Sequence, residues 1–445
     1  MQRSKKLIEQ KIPKLLFQQS VPAAVGMLVM TLYNVVDTIF IGKGVGTLGL
    51  AGVAICFPLV IVIGSVAQML GVGFSSIISR SIGSRDCQRA EKSFGNFLTV
   101  SFLFGITMTI FGAVLFIPLL KTLGASSSVF PFAKDYASII IFGTIFFIFL
   151  AGGNNIIRST GDANKAMQAM IISSLLNIVL DYIFIFELDM GIKGAAWATV
   201  ISWIVGVIYV FKILLGKDNH IKIKLSDLKL NIIIAKEGLL IGLSSFVRQA
   251  SSSVMMLLLN KSLSIYSSDI VIAAFGIIMR ILMMVFMPIV GLVQGLMPII
   301  GANYGAQKYE RTRRATTLAI KVATVISIIA FIIILVFPDF LVAIFSSDKL
   351  LVESSKNILR IIVIGVPFVG FQTVVGGYYQ ALGKSKQALF VSMLRQVFLF
   401  IPLLLILPMF WGLNGIYIAF PVADILSAII TFYIFRKSFR LLKEV

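Results

Sequence analysis

The chain has 445 residues, of which 58% are hydrophobic and only 13% are charged. Soluble domains contain about a quarter charged residues, and the deficit here runs along the whole length, which excludes a soluble protein and leaves no room for a separate soluble domain. The net charge of +20 comes from lysines and arginines in short loops between apolar runs. That arrangement is the topology signal of a membrane protein and argues against nucleic acid as a partner.

Apolar runs of about 20 residues recur along the chain, and each is long enough to cross a bilayer as a helix. The runs lack the two-residue alternation of barrel strands, so they predict an all-α integral membrane protein. We call them spans 1 to 12. Their predicted starts are Leu15, Leu48, Asn96, Ala133, Ala166, Ile192, Gly238, Val271, Ala319, Ile358, Ala388 and Leu413.

The loops between the spans alternate in charge. The loop after span 2 carries Arg80, Arg85, Arg89 and Lys92, and the other loops after even-numbered spans and both termini are also basic. The loops after odd-numbered spans carry few lysines and arginines. The positive-inside rule therefore predicts a multi-pass protein of the bacterial cytoplasmic membrane with both termini in the cytoplasm. We expect it to act as a monomer.

An internal repeat divides the chain into two halves. RSTGDANKAM (Arg158–Met167) and QALGKSKQAL (Gln380–Leu389) are about 222 residues apart, and two further pairs of segments keep that offset. Each unit holds six spans, an even number, which predicts two lobes in a parallel repeat with the substrate between them. The predicted divisions are a lobe at 1–215, a cytoplasmic linker at 216–236 and a lobe at 237–445. The linker contains the only histidine, His220, to which we assign no catalytic role.

Two carboxylates interrupt the spans of the first half. Asp37 lies in the run LYNVVDTIFIG of span 1, and Asp181 lies in span 5 on the same helix face as Ser174 and Asn177. A charge inside a bilayer costs several kcal/mol and is a functional hypothesis by default. The matching positions of the second half carry no carboxylate, so the fold itself does not need these acids.

Amides and a hydroxyl are expected to converge on the two acids. Asn34 lies one turn before Asp37, Thr199 lies in span 6, and Asn154 lies at the end of span 4. Carboxylate, amide and hydroxyl oxygens suit a hard cation, and a buried carboxylate also suits proton exchange. We expect no cofactor beyond the coupling ion.

The second half carries a different set of polar residues. We expect Arg395 of span 11 and Asp424 of span 12 to form a buried structural ion pair, and Arg248 and Arg280 lie in spans 7 and 8. Spans 7 and 8 are also rich in methionine, which repacks around varied apolar ligands but serves equally well in a core or against lipid. The residues expected to line a substrate cavity are Tyr33, Asn34, Arg248, Met255, Met256 and Met283.

These features together resemble the multidrug and toxic compound extrusion family, and within it the bacterial MepA-like branch. The resemblance rests on Pro22 in span 1, LYNVVDTIFIG, RSTGDANKAM, NIVLDYIFIF followed by GIKGAAWATVIS, and QALGKSKQA. It covers nearly the whole chain. It implies twelve spans in two six-helix lobes, and export of an organic cation or drug in exchange for Na⁺ or H⁺.

The resemblance also implies roles for individual residues. In relatives that bind the coupling ion in the first lobe, the ion site matches Asp37, Asn154, Asn177, Asp181 and Thr199. If the ion is Na⁺, Asp37 and Asp181 would be its charged ligands. Pro22 matches a proline linked to bending of the first helix. The chain has Gln294 in span 8 where some relatives carry an acid, so coupling through the second lobe is not expected.

The main alternative is a lipid-linked oligosaccharide flippase of the same superfamily, because such proteins often have a cationic central cavity and this chain has Arg248 and Arg280. A major-facilitator carrier shares the number of spans but would carry a basic loop signature after span 2 that is missing. The sequence contains no nucleophile–base pair, metal cluster or P-loop, which argues against an enzyme and excludes an ATP-driven pump for this chain.

Overall fold

The computed structural model describes residues 2–216, 224–267, 269–345 and 348–441. These residues are almost entirely helical, and the described ranges contain no strand. The predictions for His220 and for the middle of the linker lie outside the described residues.

The first lobe contains six long helices after a short amino-terminal helix, Gln2–Glu9. Spans 1 to 6 are Ile12–Gly44, Thr47–Gly83, Cys87–Thr122, Phe130–Ser159, Ala163–Tyr182 and Gly191–Leu214. Span 5 continues as one π-helical segment, Ile183–Glu187. Several helices begin before their apolar run because a polar residue caps them: span 3 starts at Cys87, where the Asp86 carboxylate accepts from the Arg89 backbone N–H at 2.9 Å.

The second lobe repeats this order with more interruptions. Spans 7 to 9 are Ile232–Tyr266, Asp269–Gly305 and Tyr309–Val336, followed by a short helix, Pro338–Ala343. Span 10 is Lys349–Ile362 joined by a 3₁₀ turn, Val363–Gly365, to Val366–Ala381. Spans 11 and 12 are built from Ser385–Met393, a π-helical stretch Leu394–Phe400, and Ile401–Leu441.

Ten helical stretches of the described chain are long and apolar enough to cross a membrane. Two features reconcile this number with the twelve spans. Spans 11 and 12 form one continuous helical run that is broken at Gly412, whose φ of +53° is a left-handed conformation that glycine adopts without strain. Span 7 is 35 residues long, but Arg248, Gln249 and a run of serines lower its hydropathy.

The two lobes touch near one end of the molecule, which we call the basic end because it carries the basic loops after the even-numbered spans. A Cβ atom added to Gly73 of span 2 would lie 1.9 Å from the backbone oxygen of Gly238 in span 7. One added to Gly242 would lie 1.9 Å from the backbone oxygen of Met69. Only glycine permits backbones to approach so closely, so spans 2 and 7 are locked together in this conformation.

Polar contacts reinforce this junction. The Glu237 carboxylate at the start of span 7 accepts from Arg80 at 2.9 Å and from Arg89 at 2.7 Å. The Ser76 hydroxyl donates to the Gln380 backbone oxygen at 2.5 Å. Among the described residues, the hydrogen bonds between the lobes all lie toward the basic end. We infer that the lobes diverge toward the opposite end, and we call the space between them there the cleft.

The described end of the linker is docked on the first lobe. The Thr99 hydroxyl of span 3 donates to the Leu228 backbone oxygen at 2.6 Å, and the Asn96 side-chain oxygen accepts from the Asn231 backbone N–H at 2.7 Å. Leu225 points away from the protein and is largely exposed. The linker therefore fixes the start of span 7 to span 3 at the basic end.

Candidate ion-coupling site and interlobe cavity

Asp37 and Asp181 meet inside the first lobe. Span 1 crosses span 5 closely at Gly26, where an added Cβ would lie 2.9 Å from the Met170 sulfur. Asp37 is 9% exposed and Asp181 is 0% exposed. Their carboxyl groups lie within hydrogen-bonding reach of each other. The prediction that these acids share one site therefore agrees with the geometry of the helices that carry them.

The cluster contains four buried oxygen atoms that lack a hydrogen-bond donor in the described part of the chain. They are one carboxylate oxygen of Asp37, both of Asp181 and the amide oxygen of Asn177. The Asn177 amide nitrogen donates to the Thr199 hydroxyl at 3.4 Å, which leaves its oxygen free. Buried acceptor atoms in proteins nearly always have a hydrogen-bond partner. These four oxygens therefore indicate a site for a bound cation or for protons. If the ion is Na⁺, it would find only oxygen ligands at this site.

Two tyrosines lie in the neighbourhood of the acids. Tyr33 of span 1 and Tyr136 of span 4 are near enough to interact electrostatically with both Asp37 and Asp181. The adjacent Asn34 is exposed, and its amide donates to the Met30 backbone oxygen of its own helix at 2.7 Å. A π-helical segment begins two residues after Asp181, and such irregular turns often mark functional positions of helices.

The structure does not bring Asn154 into this cluster, so its role in the ion site stays a prediction. Its amide nitrogen donates to the Ala166 backbone oxygen in the first turn of span 5 at 2.7 Å, and its oxygen accepts from Arg158. Asp181 follows Ala166 by fifteen residues, which is about 22 Å along a helix. Spans 4 and 5 run in opposite directions, so the end of one meets the start of the other.

A second polar region is a small cavity between the lobes, near the basic end. Its volume is about 50 Å³, and residues of spans 2, 4, 7, 8 and 10 line it. Arg158 and Arg248 both face it, together with glutamine, asparagine and serine side chains. Of the six residues predicted to form a substrate cavity, Arg248 alone lines this one. Met255 is half-buried against the core of the second lobe, and Met256 and Met283 are exposed.

Arg158 lines the cavity, but the sequence did not predict it as a site residue. An arginine beside a loop normally indicates only the orientation of the helices. Arg158 is 6% exposed, and its guanidinium donates to Asn154 in its own helix and to Gln294 of span 8. The Nε atom has no partner in the described chain. The internal repeat contains a signal that could have identified Arg158. Arg158 is the first residue of RSTGDANKAM, and Gln380 is the first residue of the matching segment QALGKSKQAL. Gln380 also faces the cavity.

Three further predicted residues make structural contacts. Arg395 donates to the Asp424 carboxylate, so these two side chains form an ion pair between spans 11 and 12. Pro22 is buried within span 1, which is helical from Ile12 to Gly44. Pro22 lies between Ser20, whose hydroxyl donates to the Leu292 backbone oxygen at 3.3 Å, and Ala24, which packs against Gly291.

Comparison with known proteins agrees with this architecture. The family model MatE matches residues 22–183 and 244–406. The chain belongs to the MatE family. The two matched segments begin 222 residues apart, at 22 and 244, which confirms the predicted repeat. MatE proteins move small molecules across membranes, so the chain is a multi-pass membrane transporter and not an enzyme.

Several characterised proteins resemble this MatE chain over nearly its whole length. A protein of Shewanella oneidensis named FAD transporter is 25% identical, with 97% of this chain and 96% of that protein covered. The multidrug export protein MepA of Staphylococcus saprophyticus is 27% identical, with 92% and 90% covered. An outward-facing structure of a multidrug resistance MATE transporter is 31% identical, covers 99% of this chain and 98% of its own, and superposes with a TM-score of 0.93. The prediction of the family is confirmed.

Proposed function

We propose that this MatE chain is a secondary antiporter that exports a small molecule in exchange for Na⁺ or H⁺ bound at Asp37 and Asp181. The observation that carries the proposal is the set of four buried oxygens on Asp37, Asn177 and Asp181 that lack a hydrogen-bond donor among the described residues. Two adjacent carboxylates repel each other when both are charged, and a cation or a shared proton removes that repulsion. An ion that enters the site therefore changes the energy of the first lobe.

Span 1 supports a physical link between ion binding and movement of the lobes. It carries Asp37 near one end, and nearer the other end Ser20 and Ala24 pack against span 8 of the second lobe. An ion shifts a conformational equilibrium only if it binds the two conformations with different affinity. We propose that ion binding changes the course of span 1 at Pro22, where the missing backbone N–H weakens the helix, and so changes the contact with span 8.

The direction of transport follows from charge. The positive-inside rule assigns the basic end to the cytoplasm, so the conformation described here is closed toward the cytoplasm and open outward. In this cycle the ion enters from outside at Asp37 and Asp181. The lobes then separate at the Gly73–Gly238 contact, and the exported molecule enters from the cytoplasm.

The substrate remains a proposal. An organic cation, the class predicted from the sequence, would bind beside Asp37 and Asp181 and compete with the ion there, and the names of the MepA relatives support drug export. The alternative is a substrate with an anionic group, such as a lipid-linked pyrophosphate or a molecule like that of the FAD transporter relative. Arg158 and Arg248 in the interlobe cavity favour this second class.

Ion binding is tested most directly on the purified chain, without a substrate. We expect Na⁺, or protons if H⁺ is the coupling ion, to raise the unfolding temperature of the wild-type protein, and Asp37→Asn and Asp181→Asn each to abolish that effect. Asp135→Asn is the matched control, because Asp135 is an exposed acid of the same lobe that pairs with Lys193. If both variants keep the wild-type response to Na⁺ and to pH, the proposed site is wrong.

A further inference from the structure

The cavity between the lobes is cationic. We infer that it binds a phosphate or carboxylate group of the exported molecule, held between Arg158 of the first lobe and Arg248 of the second. The inference rests on the proposed export function and names the class of its substrate. It concerns a site separate from Asp37 and Asp181, so the two can be tested independently.

The charge of the cavity is not compensated by acids. No aspartate or glutamate is among the residues that line it. Neither Arg158 nor Arg248 forms an ion pair in the described part of the chain. A buried arginine within a membrane is costly and normally acquires a partner. The same chain shows what a structural arginine requires, because Arg395 lies against the Asp424 carboxylate.

The surroundings of Arg158 position its guanidinium without neutralising it. The amide oxygens of Asn154 and Gln294 accept from its two terminal nitrogens, and both acceptors are uncharged. The buried Nε–H has no hydrogen-bond partner in the part of the chain that the structure describes. A guanidinium that is fixed in orientation and keeps its full charge is the arrangement that recognises phosphate and carboxylate groups.

Arg248 completes the site from the other lobe. Its side chain is exposed at the cleft, and its neighbours on span 7 are serines and glutamine. The uncharged polar side chains of Gln68, Asn155 and Gln380 line the same space. An anion that contacts both arginines would attract two lobes whose cationic side chains otherwise repel each other. The substrate would thereby favour one relative position of the lobes, which an exporter requires of its cargo.

The cavity is too small to hold the substrate in the conformation described here. The substrate therefore binds in another conformation of the proposed transport cycle. A volume of about 50 Å³ holds a few water molecules and no organic molecule. The cavity adjoins the contact between Gly73 and Gly238 that closes the basic end. When that contact opens, the two arginines become accessible from the side that we assign to the cytoplasm, where an exported anion would enter.

Equilibrium binding to the purified chain tests this inference. Flavin adenine dinucleotide is a suitable probe because it is fluorescent and carries a pyrophosphate, and riboflavin is its matched control because it has a flavin without phosphate. We expect the dinucleotide to bind at least about tenfold more tightly than riboflavin, since hydrogen bonds to charged groups contribute that much. In a second arm of the experiment, binding of undecaprenyl pyrophosphate is measured in detergent. This arm tests whether the pyrophosphate belongs to a lipid-linked substrate.

The variants are Arg248→Gln, Arg158→Gln and Arg280→Gln. Arg248 is exposed, so its loss should not disturb folding, and we expect affinity for the pyrophosphate probe to fall about tenfold or more. Arg158→Lys accompanies Arg158→Gln, because it keeps the charge if the glutamine variant fails to fold. Arg280 is exposed and does not line the cavity, so its variant should bind as the wild type does.

The outcomes separate the possibilities. Arginine-dependent binding of either pyrophosphate supports the site, and the arm that binds identifies a soluble or a lipid-linked substrate. Equal affinity for the dinucleotide and riboflavin, with no binding of the lipid pyrophosphate, would overturn the inference. So would pyrophosphate binding that Arg248→Gln leaves unchanged. None of these measurements uses an ion gradient, so their failure would leave the coupling role of Asp37 and Asp181 untouched.

Discussion

At the scale of single residues, a charge inside the bilayer is costly, and Arg395 of the second lobe offsets that cost by pairing with the Asp424 carboxylate. Asp37 and Asp181 were predictable because a carboxylate inside a membrane span is energetically costly, and its presence indicates a function. Asn154 was predicted near the acids because an amide oxygen suits an ion site. The structure places it near the basic end of span 4, whereas Asp181 lies near the opposite end of span 5. Arg158 was overlooked because loop arginines normally report topology alone.

The two acids should behave as one unit. Asp37→Asn and Asp181→Asn are each expected to abolish ion-driven export while the protein still reaches the membrane, because either change alters the charge of the shared site. The double variant should be little worse than either single variant, since neighbouring groups of one site are not additive. Transport into everted vesicles, started separately by a Na⁺ jump and by a pH jump, measures this. Wild-type rates in Asp37→Asn at normal expression would contradict it.

The ion pair in the second lobe should matter for stability instead. Asp424→Asn would leave Arg395 without its partner, and breaking a buried pair costs about 3–5 kcal/mol. We expect the lower part of that range, because the Arg395 side chain is 31% exposed while that of Asp424 is 4% exposed. Denaturant unfolding in detergent measures the loss. The double variant Asp424→Leu, Arg395→Met is the control and should recover most of it, because no unpaired charge remains.

At the scale of helices, the thickness of the bilayer sets the length of each span. The number of spans was predicted from the number of apolar runs in the sequence. The interruptions were harder to predict. The π-helical turns after Asp181 and around Arg395 depend on contacts with neighbouring helices, as does the close approach of Gly73 to Gly238. A glycine in an apolar run is equally compatible with a helix crossing and with a lipid-facing surface. Which role it has depends on the rotation of the helix.

Pro22 offers a test of span 1 as the moving part. In Pro22→Ala the backbone N–H of residue 22 is restored and can bond to the residue 18 carbonyl, which stiffens the helix. We expect ion binding at Asp37 to survive in this variant, because Asp37 is fifteen residues away, while transport falls at least about tenfold. The Na⁺- or pH-dependent rise in unfolding temperature and the vesicle assay give the two readouts. Unchanged transport would remove Pro22 from the mechanism.

At the scale of the whole molecule, the sequence predicted two lobes and a parallel repeat, but not how the lobes meet. The repeat is visible because the same six-span unit left matching glycines at an offset of about 222 residues. The meeting of the lobes depends on a few contacts at the basic end, chiefly the backbones of spans 2 and 7 and the bridge from Glu237 to Arg80 and Arg89. In the proposed transport cycle these contacts break and form again, so we expect each of them to be weak.

The bridge at Glu237 should therefore bias the equilibrium between the two conformations without controlling stability. Partly exposed ion pairs contribute about 0–1 kcal/mol each, so Glu237→Gln should increase the population that is open at the basic end by up to about tenfold. Glu310→Gln is the matched control, because Glu310 pairs with Arg313 and Arg314 within its own helix. Spin labels at Ser127→Cys and Phe340→Cys, with the exposed Cys87 replaced by serine, report the width of the cleft at the opposite end. We expect that cleft to narrow in Glu237→Gln and to stay unchanged in Glu310→Gln. A distance distribution that Glu237→Gln leaves at its wild-type value would mean that the glycine contacts alone hold the basic end closed.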